Sequence, residues 1–311
     1  MRSVFFSARF AVFFFFTGIL TACGGPETTP GGDSKGVGSR GNSSAVAGDL
    51  DTGYADVNGT SLYYEVRGDG PPLVLIQGGN LVQEMWEDQL EAFSKGYRVV
   101  TYDVRGFGRS GAWGDPFRAC DDLKGLLDFL DIERAHLVGL SLGGRIAVDF
   151  ALEYPDRVGA MVLAGPGLSG YDWSQSDQSW AEPVIEAVRA GDSARAADRW
   201  LESPYMTPAM NNPDLAPRLQ KLARANARIW VNQDSEEPIS PPAIERLADI
   251  SAPTLLILGD KDVTDIERIA GILQEGIRGS KLERVKGSGH MVNLEWPETF
   301  NWIALEFLKG I

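Results

Sequence analysis

The residues best suited to chemistry in this chain lie in a short glycine-rich stretch, Gly139-Leu140-Ser141-Leu142-Gly143. The apolar run before this stretch predicts a strand, and residues 145–152 after it predict a helix. In so sharp a turn, the glycines accept a strained backbone and the serine hydroxyl is held outward at the end of a sheet. The sequence therefore predicts Ser141 as a nucleophile. The alternative is an ordinary strand–helix turn with a solvated serine.

A serine hydroxyl needs a base to become a nucleophile, and the chain has only 2 histidines. His136 precedes Ser141 on the same predicted strand and lies about 16 Å away at ~3.3 Å per residue, so we interpret it as structural. His290 lies in a glycine- and serine-containing loop after the last predicted strand, residues 281–285. By elimination, His290 is the predicted base.

The base needs a carboxylate that fixes its tautomer and stabilises its cation. Asp260 and Asp262 both follow an apolar strand that ends at Leu258. We favour Asp262 because it lies further into the loop, and Asp260 is the alternative; either one is otherwise a solvated turn aspartate. The resulting order along the chain is Ser141, Asp262, His290, which differs from the order in the two other common serine arrangements.

The oxyanion that forms when a serine attacks an acyl carbon needs two preorganised N–H donors. One prediction is the N–H of Leu142, directly after the nucleophile. The other is the N–H of Gly79, because the sequence Gln77-Gly78-Gly79-Asn80 follows another apolar strand whose carboxyl end should reach the same edge of the sheet.

Strands and helices alternate through residues 51–311, which predicts one α/β domain with a mostly parallel twisted sheet flanked by helices. A hairpin is predicted at Asn58-Gly59, and a helix over about 116–130. The segment from about 166 to 250 lacks a strand pattern and is predicted to form a helical cap. Two groups of apolar residues favour the cap. One group lies on a single helical face: Leu215, Leu219, Leu222, Ala225 and Ile229. The other group consists of tryptophans, which either line a pocket or form the cap's own core: Trp173, Trp180, Trp200 and Trp230.

The N-terminus is predicted to be an export signal. Arg2 and Arg9 form the positive end, and the apolar run that follows, residues 10–20, is too short to span a bilayer, which needs ~20 residues. Residues 1–22 end in small residues before Cys23, which resembles a bacterial lipoprotein signal with Cys23 as the lipidated residue; a plain secretory signal is the alternative. Residues 23–50 are rich in Gly, Ser, Thr and Pro and predict a disordered tether. The predicted location is therefore the bacterial cell envelope, with the catalytic domain outside the cytoplasm and anchored to a membrane.

Charge and composition exclude several classes of function. The formal net charge of −14 disfavours nucleic-acid binding, because such a surface repels phosphate backbones. Two histidines and two cysteines predict no metal cluster and no intrachain disulfide. A G-x-G-x-x-G match at residues 165–170 contains Pro166 and precedes no clear helix, so we interpret it as the hinge into the cap and predict no dinucleotide cofactor.

Several pieces of the sequence together resemble the α/β-hydrolase fold family over essentially all of residues 51–311. The matching pieces are the Ser141 stretch, residues 103–110, residues 259–262, and Gly289-His290 with Glu295 and Pro297 beyond. The resemblance implies that Asp262 is the triad acid and that the loop 103–110 is mainly structural. The family usually has His-Gly where this chain has Gln77-Gly78, which implies different hydrogen bonding in that loop.

The sequence thus predicts a serine hydrolase that cleaves a small ester or lactone with Ser141, Asp262 and His290, and whose partner is a small acyl substrate. The same triad also suits C–C or amide hydrolysis, or cofactor-free haloperoxidase and perhydrolase chemistry. A non-catalytic binding protein and a surface-tethered scaffold are the two alternatives without catalysis.

Overall fold

The computed structural model describes residues 50–174, 179–226 and 235–311. The predicted signal peptide, Cys23 and all of the predicted tether except Leu50 lie outside the described residues. Ile229 and Trp230 of the predicted cap also lie outside them.

The described strands form one eight-stranded sheet in the order β1-β2-β4-β3-β5-β6-β7-β8. The strands are β1 Asp51–Val57, β2 Thr60–Arg67, β3 Pro72–Ile76, β4 Arg98–Tyr102, β5 Ala135–Leu140, β6 Val158–Ala164, β7 Thr254–Gly259 and β8 Lys281–Val285. β1 is antiparallel to β2, and β2 is antiparallel to β4; all later neighbours are parallel. The expectation of a mostly parallel sheet is confirmed, with an antiparallel hairpin at one edge.

The register of the parallel strands aligns their carboxyl ends. Ile76 of β3 pairs with Gly139 of β5, Gly139 pairs with Leu163 of β6, and Ala164 pairs with Ile257 of β7. The loops that follow these strands therefore open at one edge of the sheet, which is where ligands bind in open α/β sheets.

Helices cover both faces of the sheet, and the central strands are buried because each face has a helix layer to pack against. Outside the cap, the helices are α1 Glu87–Ser94, α2 Ala119–Phe129, α3 Leu142–Glu153, α8 Thr264–Gly276, α9 Val292–Glu295 and α10 Pro297–Lys309. Between β6 and β7, the described helices are α4 Ala181–Arg189, α5 Ser193–Leu201, α6 Thr207–Met210 and α7 Ala216–Ala225.

Two local predictions differ from the structure. The helix predicted over 116–130 begins only at Ala119, because Phe117 is extended and pairs with Glu236. Ala225 is exposed, whereas Leu215, Leu219 and Leu222 are buried as expected. The buried face of α7 follows a spacing of three, four and seven residues, and this spacing brings Ala223 to the inside and leaves Ala225 outside.

Polar contacts attach the insertion between β6 and β7 to the sheet domain at both of its ends. Near its start, Asp265 of α8 accepts hydrogen bonds from Tyr171 Oη at 2.8 Å and from the Ser174 N–H at 2.7 Å. Near its end, Arg145 of α3 forms a 2.6 Å ion pair with Glu236. Its helices are thus joined at both ends to elements that follow strands of the sheet.

Cys120 is a buried free thiol. No helix within the described residues has both the length and the apolar character needed to cross a membrane.

Candidate active site

The turn at Ser141 is held in a strained conformation by its glycines. Ser141 has φ 53° and ψ −109°, a left-handed φ that non-glycine residues seldom adopt. A side chain at Gly143 would collide with the Ile76 carbonyl oxygen, and one at Gly139 with the Gly143 carbonyl oxygen. Both glycines are therefore required sterically, because backbone atoms of β3 and α3 occupy the space.

The backbone of Ser141 is fixed by β6 and by α3. Its N–H donates to the Ala164 carbonyl at 2.9 Å, and its carbonyl accepts from the N–H groups of Arg145 and Gly167, both at 3.0 Å. The Ser141 residue is only 7% exposed. The serine therefore sits at the end of β5 with little freedom of its own, as preorganised chemistry requires.

Asp262 and His290 meet at the same edge of the sheet. His290 Nδ1 lies 3.0 Å from both carboxylate oxygens of Asp262, and both side chains are almost fully buried. Asp262 Oδ1 also accepts the Val263 N–H at 2.8 Å, which orients the carboxylate. A hydrogen on Nδ1 then faces the carboxylate and leaves Nε2 as the basic nitrogen.

Asp260, the alternative acid, occupies a different place. It is exposed, and its Oδ1 accepts the Gly287 N–H at 2.7 Å. Asp260 thus anchors the start of the loop that carries His290 and does not touch the imidazole.

Gly165 connects the serine side of the site to the acid–imidazole pair. It follows Ala164, which accepts the Ser141 N–H, and a Cβ at Gly165 would lie 3.0 Å from both Asp262 Oδ2 and His290 Nδ1. Among the hydrogen bonds of the described residues, none joins Ser141 Oγ to His290. Such a bond is often long in a site without substrate and shortens in the Michaelis complex.

The residues of the two predicted oxyanion donors lie close to each other. A Cβ at Gly79 would lie 3.8 Å from Leu142 Cβ. As the first residue of α3, Leu142 has an N–H without an intrahelical acceptor. The neighbouring N–H of Gly78 donates to Met85 Sδ at 3.2 Å and is therefore occupied. The hydrogen bond from Gly78 to Met85 therefore favours Gly79 over Gly78 as the second donor.

Comparison with known proteins identifies the family. Residues 71–297 match the model of the alpha/beta hydrolase fold family. The chain belongs to the α/β-hydrolase fold family.

Three similar proteins illustrate the range of this family. A 2-hydroxy-6-oxo-6-phenylhexa-2,4-dienoate hydrolase of Comamonas testosteroni is 30% identical over 82% of this chain and 93% of that protein. 3-Oxoadipate enol-lactonase 1 of Acinetobacter baylyi is 29% identical over 81% of this chain and 95% of its own. The crystal structure of carboxylesterase CesB from Bacillus subtilis superposes with a TM-score of 0.72 at 26% identity, and covers 85% of this chain and 93% of that chain. All three are hydrolases, and this α/β hydrolase is an enzyme of the same general type.

Gln77 holds the Gly78–Gly79 turn of this α/β hydrolase at the position where the family usually has a histidine. Gln77 is fully buried; its Nε2 donates to the Leu81 carbonyl, and its Oε1 accepts the Val104 N–H at 3.4 Å. One carboxamide therefore joins both ends of the Gly78–Gly79 turn to the backbone that follows β4.

Met85 connects the Gly78–Gly79 turn with the segment that carries His290. Its sulfur accepts the Gly78 N–H. Its carbonyl accepts a hydrogen bond at 3.4 Å from Nδ2 of Asn293, a residue three positions after His290. Asn293 also donates to Gln89 at 3.2 Å, and Gln89 returns a hydrogen bond to the Asn293 carbonyl at 3.0 Å. The two loops are therefore parts of one buried hydrogen-bonded network.

Asp103 is a buried carboxylate in the loop that follows β4. It is fully buried, and its oxygens accept the N–H groups of Gln83 at 2.9 Å and Arg109 at 2.8 Å. Burial raises the pKa of Asp103 to about 6, against the lowering effect of these two donors. The loop 103–110 is thus closed around this carboxylate, in agreement with a structural role.

Sequence reasoning missed three residues around His290. Gly165 had been seen only as part of a motif, Tyr205 carried no signal, and Glu295 was noted only as part of the resemblance. In the structure, the Tyr205 ring lies edge to face with the imidazole at 5.0 Å between centroids. Glu295 accepts the N–H groups of Gly289 and Met291 at 2.9 and 3.1 Å. The spacing of Glu295 from His290, little more than one helical turn, is the signal that could have found it.

His136 lies in β5 near its amino end, away from the site. Its ring packs against Tyr97 at 6.0 Å, and burial lowers its pKa. Residues 171–174, which follow the G-x-G-x-x-G match, are not helical. Within the part of the chain that the structure describes, no group of three or more His, Cys, Asp or Glu residues is placed to hold a metal ion.

Proposed function

We propose that this α/β hydrolase cleaves a small ester or lactone through an acyl-enzyme on Ser141. The observation that carries the proposal is the Asp262–His290 hydrogen bond at the sheet edge where the strained Ser141 turn also lies. An imidazole oriented by a buried carboxylate near such a serine suits acyl transfer. The carboxylesterase and the enol-lactonase among the similar proteins support the same class of substrate.

In the proposed mechanism, Ser141 Oγ attacks the acyl carbon while His290 Nε2 accepts the hydroxyl proton. Asp262 stabilises the imidazolium, and the N–H groups of Leu142 and Gly79 donate to the oxyanion, each contributing ~2.7–4 kcal/mol. His290 returns the proton to the leaving oxygen. Water then attacks the acyl-enzyme by the same route and releases the acid.

The residues that face His290 from the cap favour an uncharged acyl group. Tyr205 packs on the imidazole, Trp180 packs on Tyr205 at 5.6 Å between centroids, and Pro208 lies against Gly289. Aromatic and apolar walls bind apolar groups and penalise an unpaired charge. Esters with uncharged acyl chains should therefore react faster than esters with a free carboxylate on the acyl chain, which a panel of p-nitrophenyl esters of graded length and charge measures.

The deciding experiment replaces the nucleophile. Ser141→Ala should lower the kcat for p-nitrophenyl esters by about 10⁶-fold without loss of folded protein, and it should abolish labelling by a serine-directed phosphonate. Ser251→Ala, at an exposed serine, is the matched control and should retain both. Full ester hydrolysis by Ser141→Ala would refute the mechanism, and an unlabelled wild type would favour a binding protein.

A second candidate is the hydrolysis of a C–C bond on the same residues. It is favoured by the Comamonas testosteroni relative, whose name specifies a 2-hydroxy-6-oxodienoate substrate. Parallel assays with a 2-hydroxy-6-oxodienoate and with aryl esters separate the two candidates by kcat/KM. Adding peroxide and an acid to the same assays tests perhydrolase chemistry.

We also propose that a lipid on Cys23 anchors the enzyme to the bacterial cell envelope. The sequence before Cys23 supports this, and the residues after it suit a tether. In cells that process lipoproteins, Cys23→Ser should move the esterase activity from the membrane fraction to the soluble fraction. Activity that stays in the membrane fraction would contradict the proposal.

A further inference from the structure

Glu295 holds the backbone on both sides of the proposed base. The one-turn helix α9 begins two residues after His290, and the N–H groups of Leu294 and Glu295 donate to the Met291 carbonyl. This turn brings the Glu295 side chain back to the loop. Its Oε2 accepts the Gly289 N–H at 2.9 Å, and its Oε1 accepts the Met291 N–H at 3.1 Å.

The Glu295 carboxylate is partly withdrawn from water, and it lies beside the residue proposed as the base. Burial raises the pKa of Glu295, whereas the two N–H donors and the nearby His290 favour its charged form. Residues 289, 290 and 291 are buried, and Pro208 of the cap closes the other side of Gly289. The loop is thus held between the cap and the Glu295 carboxylate.

The contacts of His290 divide into two sets. Asp262 fixes the rotation of the ring through Nδ1, and the ring of Tyr205 covers one side of it. Neither contact fixes the position of the His290 backbone, from which the imidazole must reach Ser141. Glu295 is the side chain that binds this backbone on both sides.

We propose that Glu295 is a positioning residue that holds His290 within reach of Ser141 and adds a second negative charge beside the imidazolium. The inference rests on the proposed function, since it assigns a role in the Ser141–His290 reaction. The titratable groups that face His290 are Asp262, Glu295 and Tyr205, and those that face Glu295 are His290 and Asp262.

The test compares Glu295→Gln with Glu295→Asp and with Glu298→Gln, a matched removal of charge at an exposed position in the first turn of α10. A glutamine keeps the shape but can accept only one of the two N–H groups. Its kcat should fall by about tenfold to a hundredfold, because a shift of ~1 Å in a catalytic group costs up to ~10²-fold, with KM within about twofold. Glu298→Gln should match the wild type.

The pH profile separates positioning and charge from simple loss of fold. Without the Glu295 charge, the imidazolium is less stabilised, so the acid side of the kcat/KM profile of Glu295→Gln should move to lower pH. Glu295→Asp keeps the charge but is too short to hold both N–H groups. It should restore the wild-type profile and only part of kcat.

Phosphonate titration of active sites makes the outcomes distinct. The inference would be overturned if labelled Glu295→Gln has the wild-type kcat per active site and an unchanged pH profile. The same holds if its total activity falls only in proportion to the folded fraction. A wild type that the phosphonate does not label would overturn the proposed function and this inference with it. Labelling at Ser141 that is slowed by the same factor as kcat in Glu295→Gln would support both.

Discussion

The two halves of the candidate site are held in different ways. The serine half, with Ser141 and the two predicted oxyanion donors, is fixed by glycines that leave no space for side chains and by backbone hydrogen bonds. The acid–imidazole half depends on the carboxylates of Asp262 and Glu295, which are bound to the ring and to loop N–H groups. The first half should therefore be sensitive to added volume, and the second to removed charge.

Among the variants that separate the two halves, the largest effect should come from the charge that touches the imidazole. Asp262→Asn should lower kcat by about 10⁴-fold with the fold intact, because an asparagine favours the wrong histidine tautomer. Asp260→Asn, in the same loop, keeps an oxygen for the Gly287 N–H and should change kcat by less than about threefold. Steady-state kinetics on both variants, with circular dichroism to check folding, tests the contrast, and equal losses would remove the distinction between the two aspartates.

Added volume in the serine half should come next. Gly143→Ala would press a methyl group onto the carbonyl oxygens of Ile76 and Gln77, which are backbone atoms and cannot rotate away. We expect the free energy of unfolding to fall by about 3 kcal/mol and kcat by about 10²-fold, as the turn is displaced. Gly271→Ala in α8, where nothing lies within 4 Å of the new methyl, should instead stabilise by ~0.5–1 kcal/mol. Denaturant unfolding of both variants shows whether the loss of stability depends on where the methyl group is added.

Asp103 sharpens the comparison, because it is a buried carboxylate directly before Val104, whose N–H binds Gln77 beside the serine half. With a folded pKa of about 6 against 3.8 for the unfolded chain, the folded state binds this proton more tightly. The contribution of Asp103 to stability should therefore fall as the pH rises from about 4 to 7, by about 3 kcal/mol at ~1.4 kcal/mol per unit. The difference in unfolding free energy between wild type and Asp103→Asn should follow this trend, and a difference independent of pH would contradict it.

The smallest effect should come from a contact of the cap that belongs to neither half. Arg218 of α7 pairs with Asp88 of α1, and both side chains are partly exposed. Arg218→Ala should cost about 0.2–1 kcal/mol and leave the kcat of a small ester unchanged. A loss of kcat above about tenfold would show that this contact reaches the site and that the division into two halves is incomplete.

The amino-acid sequence predicted the sheet better than the contacts of the site. The mostly parallel sheet is confirmed, and β8 has the expected bounds, residues 281–285, although most of this edge strand is exposed. Asp262 and His290 were found through strand ends and the scarcity of histidine. The roles of Gln77, Gly165 and Glu295 depend on which loops meet in space, and one sequence carries no signal for such meetings. The face of α7 was misjudged at Ala225 because short cap helices have little periodicity to measure.

The insertion between β6 and β7 is fastened where it leaves the sheet, by Asp265, and where it returns, by Arg145 and Glu236. Because neither fastening lies among the helices in between, we expect those helices to be exchangeable as a module if Tyr205 and Pro208, which contact His290 and Gly289, are kept. A chimaera that takes them from another member of the family, with both fastenings kept, should inherit the donor's substrate preference and retain the recipient's chemistry. Diversification of substrate range in such a protein needs no change in the sheet.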